Sequence, residues 1–228
     1  MSEPRALFLH GAGGGGWEWR IWCSVWSARG WHVRAPDLMP VAAEPASTRW
    51  SDYLSQVEQA VEDARPACIV GASLGGLLAL AVASHARGLV LINPFPPAPW
   101  HAQWPPRAWP PRVEWRRQAR LDSTRRAASD ADEASMLHAF RHWRDESGDV
   151  LRTASAGVAL PSASHRCLII ASDDDRDVPA QASRAMANSW NADWLGVRGG
   201  HLSPLMGPLA AGIAAQAVEW MNTHEHAS

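Results

Sequence analysis

Residues 67–80 read Ala-Cys-Ile-Val-Gly-Ala-Ser-Leu-Gly-Gly-Leu-Leu-Ala-Leu, and this stretch constrains the fold more than any other. A short apolar run containing Ile69 and Val70 breaks at Gly71, turns through Ala72-Ser73-Leu74-Gly75, and resumes as an Ala/Leu-rich segment. The pattern predicts strand, sharp turn, helix. In Gly-x-Ser-x-Gly the serine occupies a strained turn that lifts its Oγ clear of the sheet, and small neighbours let strand and helix crowd together. The helix N-terminus behind Ser73 also favours negative charge developing nearby. An ordinary glycine-rich turn with a capping serine would carry the same five residues, so other parts of the chain must decide.

Strands and helices alternate on both sides of this turn. Arg5 to His10 reads as a strand that ends in Gly11-Ala12-Gly13-Gly14-Gly15-Gly16, and Trp17 to Arg29 carries helical spacing. Trp31 to Ala35 is a second strand. Trp50 to Ala64 is helical, with Tyr53, Leu54, Val57 and Val61 on one face. Gly88 to Asn93 and His165 to Ala171 are continuous apolar runs of the kind buried on both faces of a parallel sheet. A helix from Pro179 to Trp190, a short strand over 192–197 and a helix from Leu209 to Met221 close the chain. The expected architecture is α/β, a mostly parallel sheet of about six strands flanked by helices.

Composition changes sharply at Pro94. Eight prolines and three tryptophans fall between Pro94 and Pro111, and a helix follows over about Asp130 to Arg144 with Met136, Leu137, Phe140 and Trp143 at helical spacing. An apolar helical face argues for an insertion packed on the sheet, not a linker. The expected division is a core of 1–93 and 165–228 with a lid over 94–164. Six of the fourteen tryptophans lie within 17–50 and four within 100–115. Trp17, Trp100 and Trp104 are candidates to line a pocket, although packing is the commoner fate of such residues.

A net charge of −2 at pH 7 argues against a nucleic-acid or membrane-surface binder. No segment is long enough for a membrane span, and the first four residues lead into a strand without the pattern of a signal peptide. A cytoplasmic protein is expected. Cys23, Cys68 and Cys167 are widely spaced and odd in number, which suits reduced core residues better than disulfides or a metal site. The loop after His10 lacks the Gly-Lys-Ser/Thr ending of a phosphate loop and the spacing of a dinucleotide fingerprint. No cofactor and no metal are expected. The loop is better suited to present a backbone N–H, that of Ala12, to an oxyanion.

Chemistry-bearing residues fall at the ends of predicted parallel strands, where loops of an open α/β sheet converge on one crevice. They are Ser73, an acid among Asp173, Asp174, Asp175 and Asp177, and His201. A serine becomes a useful nucleophile when a base takes its proton, and a histidine base works best when a carboxylate fixes its tautomer.

With these motifs in that order the sequence resembles the α/β-hydrolase fold family over nearly the whole chain outside the lid. His10-Gly11 resembles the family's oxyanion loop, Gly71-Ala72-Ser73-Leu74-Gly75-Gly76 its nucleophile elbow, Asp175-Arg176-Asp177-Val178-Pro179 its acid loop and Gly200-His201 its histidine loop. The Leu-His-Gly-Ala start, Trp17, Trp19, Arg-Gly-Trp-His-Val and Pro-Asp-Leu are similar to small esterases, plant methylesterases and hydroxynitrile lyases. Two departures stand out: the strands that usually precede the His-Gly strand are missing, and Ser172 replaces a usual glycine before the acid. The resemblance implies Ser73 as nucleophile, His201 as base, Asp175 as orienting acid, and the amides of Ala12 and Leu74 as oxyanion donors. Asp175 is chosen for its place three residues before Val178. Asp173, Asp174 and Asp177 are left to turn formation and to capping the helix near Pro179, and His10 to shaping its loop.

The expected activity is hydrolysis of a carboxylic ester or thioester through an acyl-serine. Seven arginines lie between residues 107 and 126, among them Arg112, Arg116, Arg117 and Arg120, against Glu114 and Asp122 alone. Such a face could receive an acyl carrier protein or the phosphates of coenzyme A, or form a solvated surface with local ion pairs. The arginine-bearing lids of esterases acting on carrier-bound acyl methyl esters are similar. Two other readings compete: a lyase like the hydroxynitrile lyases, which typically use a pocket lysine that this chain lacks entirely, and a non-catalytic ligand receptor.

Overall fold

The apolar runs around Leu7, Ile69, Leu89 and Leu168 each become a parallel strand covered on both faces. The computed structural model describes residues 3–104, 107–118, 120–162 and 166–223. His165, His224 and His226 lie outside the described residues. Elements follow in the order β1 (Arg5–Leu9), α1 (Arg20–Ser27), β2 (His32–Arg34), α2 (Trp50–Ala64), β3 (Cys68–Ala72), α3 (Leu74–Ala81), β4 (Gly88–Ile92), β5 (Arg112–Val113), α4 (Trp115–Gln118), α5 (Leu121–Ala127), α6 (Glu133–His142), β6 (Glu146–Ser147), α7 (Gly148–Ala156), β7 (Arg166–Ser172), α8 (Ala180–Trp190), β8 (Asp193–Val197), α9 (Ser203–Met206) and α10 (Ala210–Thr223).

Six strands form one parallel sheet in the order β2-β1-β3-β4-β7-β8. Side chains alternate across it, as the strand period of two requires. Leu7, Leu9, Ile69, Leu89, Leu91 and Ile169 face one layer, packed with residues of α2, α3, α7 and α8. Ala6, Phe8, Val70, Val90, Ile92 and Ile170 face the other, packed with α1, α9 and α10. No helix among the described residues is long and apolar enough to cross a membrane.

The first tryptophan group belongs to this second layer. Phe8 sits against Trp19, Trp22 and Trp26 at ring separations of 5.0, 6.2 and 5.2 Å, and Trp26 meets Trp31 at 4.9 Å. Trp22 Nε1–H donates to Pro204 O at 2.8 Å, tying α1 to α9.

Residues 94–164 separate β4 from β7. Their described part holds α4 to α7 and a two-residue antiparallel pairing in which Arg112 faces Ser147 and Val113 faces Glu146. The expected helix over 130–144 is shorter, Glu133–His142. It begins at Asp132, whose carboxylate accepts from Ser135 N–H at 2.7 Å, and Trp143 leaves helical geometry.

Candidate active site

The turn after β3 is strained in the way its sequence predicts. Ser73 has φ +53° and ψ −120°, a conformation that a non-glycine residue holds only under constraint from its surroundings. Room for it comes from two glycines. A Cβ on Gly71 would lie 2.3 Å from Gly75 O, and one on Gly75 would lie 2.2 Å from Leu9 O. The backbone of Ser73 is pinned by its N–H to Ile92 O at 3.0 Å and by Phe95 N–H donating to Ser73 O at 3.0 Å. Its hydroxyl makes no hydrogen bond among the described residues and opens on a cavity shared with Ala12 and His201.

His201 follows β8 and lies beside the loop after β7. His201 Nδ1–H donates to Asp175 Oδ2 at 2.7 Å, with the Asp175 side chain fully buried and that of His201 11% exposed. The other oxygen, Asp175 Oδ1, accepts from Asp177 N–H at 2.8 Å and Val178 N–H at 2.9 Å, which fixes the carboxylate plane. Burial alone would lower the His201 pKa, but the charge of Asp175 and its hydrogen bond prevail and raise it to about 9. The other aspartates have separate tasks. Asp173 Oδ1 accepts from Gly199 N–H at 3.0 Å, Asp174 pairs with Arg176 at 3.6 Å, and Asp177 pairs with Arg107 at 3.2 Å. None of them caps α8, whose N-cap is Pro179 without a side-chain bond, so the expected capping is corrected. Asp175, Asp177 and His201 bring three potential metal-ligand atoms within 4.8 Å of one another. Because two of these groups bond each other and the third faces Arg107, the arrangement suits proton relay better than an ion cage.

The glycine loop between β1 and α1 is held from outside. His10 is buried, with Nδ1–H to Gly11 O at 2.8 Å and Nε2 accepting from Leu38 N–H at 2.9 Å and from Arg144 at 3.1 Å. Burial lowers its pKa to about 4, so the ring is neutral and shapes the loop. Gly11 N–H donates to Glu18 Oε2 at 3.2 Å and Gly13 N–H to Glu146 Oε2 at 2.9 Å. The amide of Ala12 between them, and that of Leu74 at the start of α3, donate to no described group. Burial pushes the Glu18 carboxyl up to about 8, against the bond from Gly11, and raises that of Glu146 as well.

The cavity over these groups holds about 540 Å³. Phe95, Trp104, Trp109, Trp115 and Trp143 form most of its apolar wall. Arg107, Arg126 and Arg176 stand among its polar residues. A second cavity of about 480 Å³ lies between Arg5, His32, Arg34 and Asp63, residues of or beside the two edge-side strands β1 and β2, without a nucleophile.

Of the predicted pocket residues, Trp104 is in the wall, and its Nε1–H donates to Asp177 O at 2.7 Å. Trp17 and Trp100 are elsewhere. Trp17 packs behind the wall on Trp143 at 5.6 Å, and Trp100 packs on Trp190 at 5.2 Å. Arg112 is bound to Asp145 at 2.7 Å and Glu44 at 3.6 Å, and Arg117 lies 3.9 Å from Glu114. Arg116 and Arg120 have no ion pair among the described residues and do not reach the cavity.

Sequence reasoning missed Glu18, Glu146, Arg144 and Asn93. Asn93 directly follows β4 at φ +43°, and its side chain gives Nδ2–H to Ser172 Oγ at 3.0 Å and to His201 O at 2.8 Å while Oδ1 accepts from Ser172 N–H at 2.8 Å. Ser172, the departure from the family pattern, is thus the partner of Asn93. Replacing Asn93 with alanine is expected to cost about 1–3 kcal/mol, because buried groups lose their partners. A urea midpoint unchanged from wild type would refute this. An Asn-Pro pair closing an apolar strand was the available signal for it, since Asn tolerates positive φ.

The fold has counterparts among known proteins. Residues 6–215 match the family described as "Alpha/beta hydrolase family". No curated protein sequence matches at a significant level. Among solved structures, tomato methylketone synthase I complexed with 2-tridecanone superposes with a TM-score of 0.76 at 16% identity, covering 98% of this chain and 99% of that one. A methylesterase from Arabidopsis gives 0.72 at 14% identity over 95% and 99% of the two chains. The thioesterase domain from the curacin biosynthetic pathway gives 0.69 at 18% identity over 95% and 91%. At such identities these likenesses concern the fold. The family match, which runs from β1 into α10, carries the assignment: the chain belongs to the alpha/beta hydrolase family.

Proposed function

We propose that this protein is a serine hydrolase that cleaves a carboxylic ester or thioester through an acyl-serine intermediate. The observation that carries the reading is the 2.7 Å bond from His201 to a doubly anchored Asp175, beside a cavity onto which strained Ser73 also opens. Ser73 Oγ attacks the carbonyl carbon as its proton passes to His201 Nε2, and Asp175 stabilises the imidazolium that results. The amides of Ala12 and Leu74 receive the charge on the carbonyl oxygen. As the C–O or C–S bond breaks, the imidazolium protonates the leaving group. Water then gives a proton to His201 while its oxygen attacks the acyl carbon, and Ser73 departs with its proton restored.

The acyl part occupies the apolar wall of Phe95 and the four tryptophans, which favours bulky or aromatic acids. Measured on a panel of esters, kcat/KM is expected to rise from acetyl to larger acyl groups by about 10-fold or more, at roughly 0.8 kcal/mol for each CH₂ buried. A flat profile would refute the assignment of this wall to the acyl group.

A carrier-linked substrate is the second reading, favoured by the side chains of Arg116, Arg120 and Arg126, which have no acidic partner among the described residues. The pairing of Arg107, Arg112, Arg117 and Arg125 with local carboxylates weakens it. If it holds, hydrolysis of a carrier-linked thioester falls steeply with salt while a small neutral ester is indifferent.

A further inference from the structure

The mechanism above uses neither Glu18 nor Glu146, although both carry buried carboxyl groups, at 3% exposure each, beside the loop that carries Ala12. Buried carboxyl groups are costly to keep unless they hold something in place. Three consecutive amides of that loop have different fates. Gly11 N–H goes to Glu18, Gly13 N–H goes to Glu146, and the amide of Ala12 between them goes to no described group.

We propose that Glu18 and Glu146 are positioning residues that clamp the loop on either side of Ala12 and so aim its N–H at the oxyanion formed on Ser73. The two jaws come from different parts of the chain. Glu18 lies in the turn that leads into α1, seven residues from its partner. Glu146 is 133 residues from Gly13, within the segment between β4 and β7. Its other oxygen accepts from Tyr53 O–H at 2.8 Å and from its own neighbour Ser147 N–H at 2.6 Å, so the carboxylate cannot swing away from Gly13 without breaking two further bonds. Arg144 completes the grip: its N–H donates to Gly13 O at 2.8 Å and its Nε–H to Gly14 O at 2.6 Å. Gly13 is fitted to this contact. At φ +68° it occupies left-handed space, and a Cβ there would lie 2.4 Å from the Trp115 ring. The loop cannot tilt as a unit while both jaws hold, and an oxyanion donor displaced by a fraction of an ångström loses most of its worth.

This inference rests on the hydrolase reading, and its test separates the two. In Glu18→Ala and Glu146→Ala, kcat for a good ester should fall about 10- to 100-fold with KM within about 2-fold of wild type, because the lost interaction acts in the transition state. Affinity for an alkylboronic acid, which forms a tetrahedral anion on serine, should fall by the same factor. Glu18→Gln keeps an acceptor for Gly11 and should stay within about 3-fold of wild type. A rise in KM at constant kcat, unchanged boronate affinity, or a Glu18→Gln as impaired as Glu18→Ala would overturn the clamp. Should the alanine variants fail to fold, Tyr53→Phe removes one hydroxyl from Glu146 and should produce a smaller fall in kcat with the same constancy of KM. Amide hydrogen exchange over residues 10–16 reads the clamp without turnover. About 10-fold faster exchange in Glu146→Ala, or in Tyr53→Phe if that variant alone folds, supports it, and unchanged exchange overturns it. A wild-type protein that binds no boronate and cleaves no ester refutes the hydrolase reading instead, whatever the exchange shows.

Discussion

Replacing Ser73 with alanine is expected to lower kcat for ester hydrolysis by about 10⁶-fold, the scale on which a catalytic unit loses its nucleophile. Stability should change by less than about 1 kcal/mol, because the hydroxyl makes no hydrogen bond among the described residues and the strained backbone is fixed by hydrogen bonds with Ile92, Phe95 and Gly76. His201→Ala should lose nearly as much, since the two residues act as one. Steady-state kinetics on purified variants, with thermal unfolding as the control for folding, provide the check. Residual turnover above about 1% of wild type in Ser73→Ala would show that the chemistry does not pass through this serine.

Asp175→Asn is the second large effect, expected at about 10⁴-fold in kcat. The amide oxygen is drawn to the N–H groups of Asp177 and Val178, which leaves the NH₂ facing His201 Nδ1. A donor there forces the proton onto Nε2, where the base needs a free electron pair. The pH profile carries a further signature. Only the neutral imidazole accepts the Ser73 proton, so kcat/KM for wild type should rise about 10-fold per pH unit and level off above a pH of about 9, the His201 value. With the charge of Asp175 removed, the largest influence raising that value is gone, and the rising limb should move to lower pH while its plateau drops. Asp173→Asn and Asp177→Asn should retain most activity. If either proves as damaging as Asp175→Asn, or if the limb stays in place, the pairing of His201 with Asp175 is not what activates Ser73.

Much of this site could be read from sequence because its parts are local. A glycine that must sit under a carbonyl, a serine on the turn it permits, and an aspartate bonding amides two and three residues on are properties of short segments. The strands were legible for the same reason: Gly88–Ile92 and Arg166–Ser172 are apolar at every position between their two end residues, as central parallel strands must be. What escaped depends on distance along the chain. Nothing near Gly13 announces Glu146, and nothing near Arg112 announces that Asp145, 33 residues on, will neutralise it. The tryptophans failed for another reason. Trp17 and Trp104 both sit in turn-rich stretches, and long-range packing alone sets Trp17 against His138 of α6 and Trp143 while Trp104 becomes part of the cavity wall. Glu18 did offer a hint, a carboxylate between two tryptophans where a solvated residue would be out of place.

The bonds from Arg144 and Glu146 into the loop after β1 also bear on how proteins of this architecture can be recombined. A chimaera that replaces residues 94–164 with the corresponding segment of a relative would exchange the cavity wall and, at the same stroke, strip Gly13 and Gly14 of their partners. Grafts that keep Arg144 to Ser147 and change only the stretch before them should transfer acyl preference with turnover intact. Here the seam between what must be kept and what can be exchanged runs within residues 94–164, short of their end.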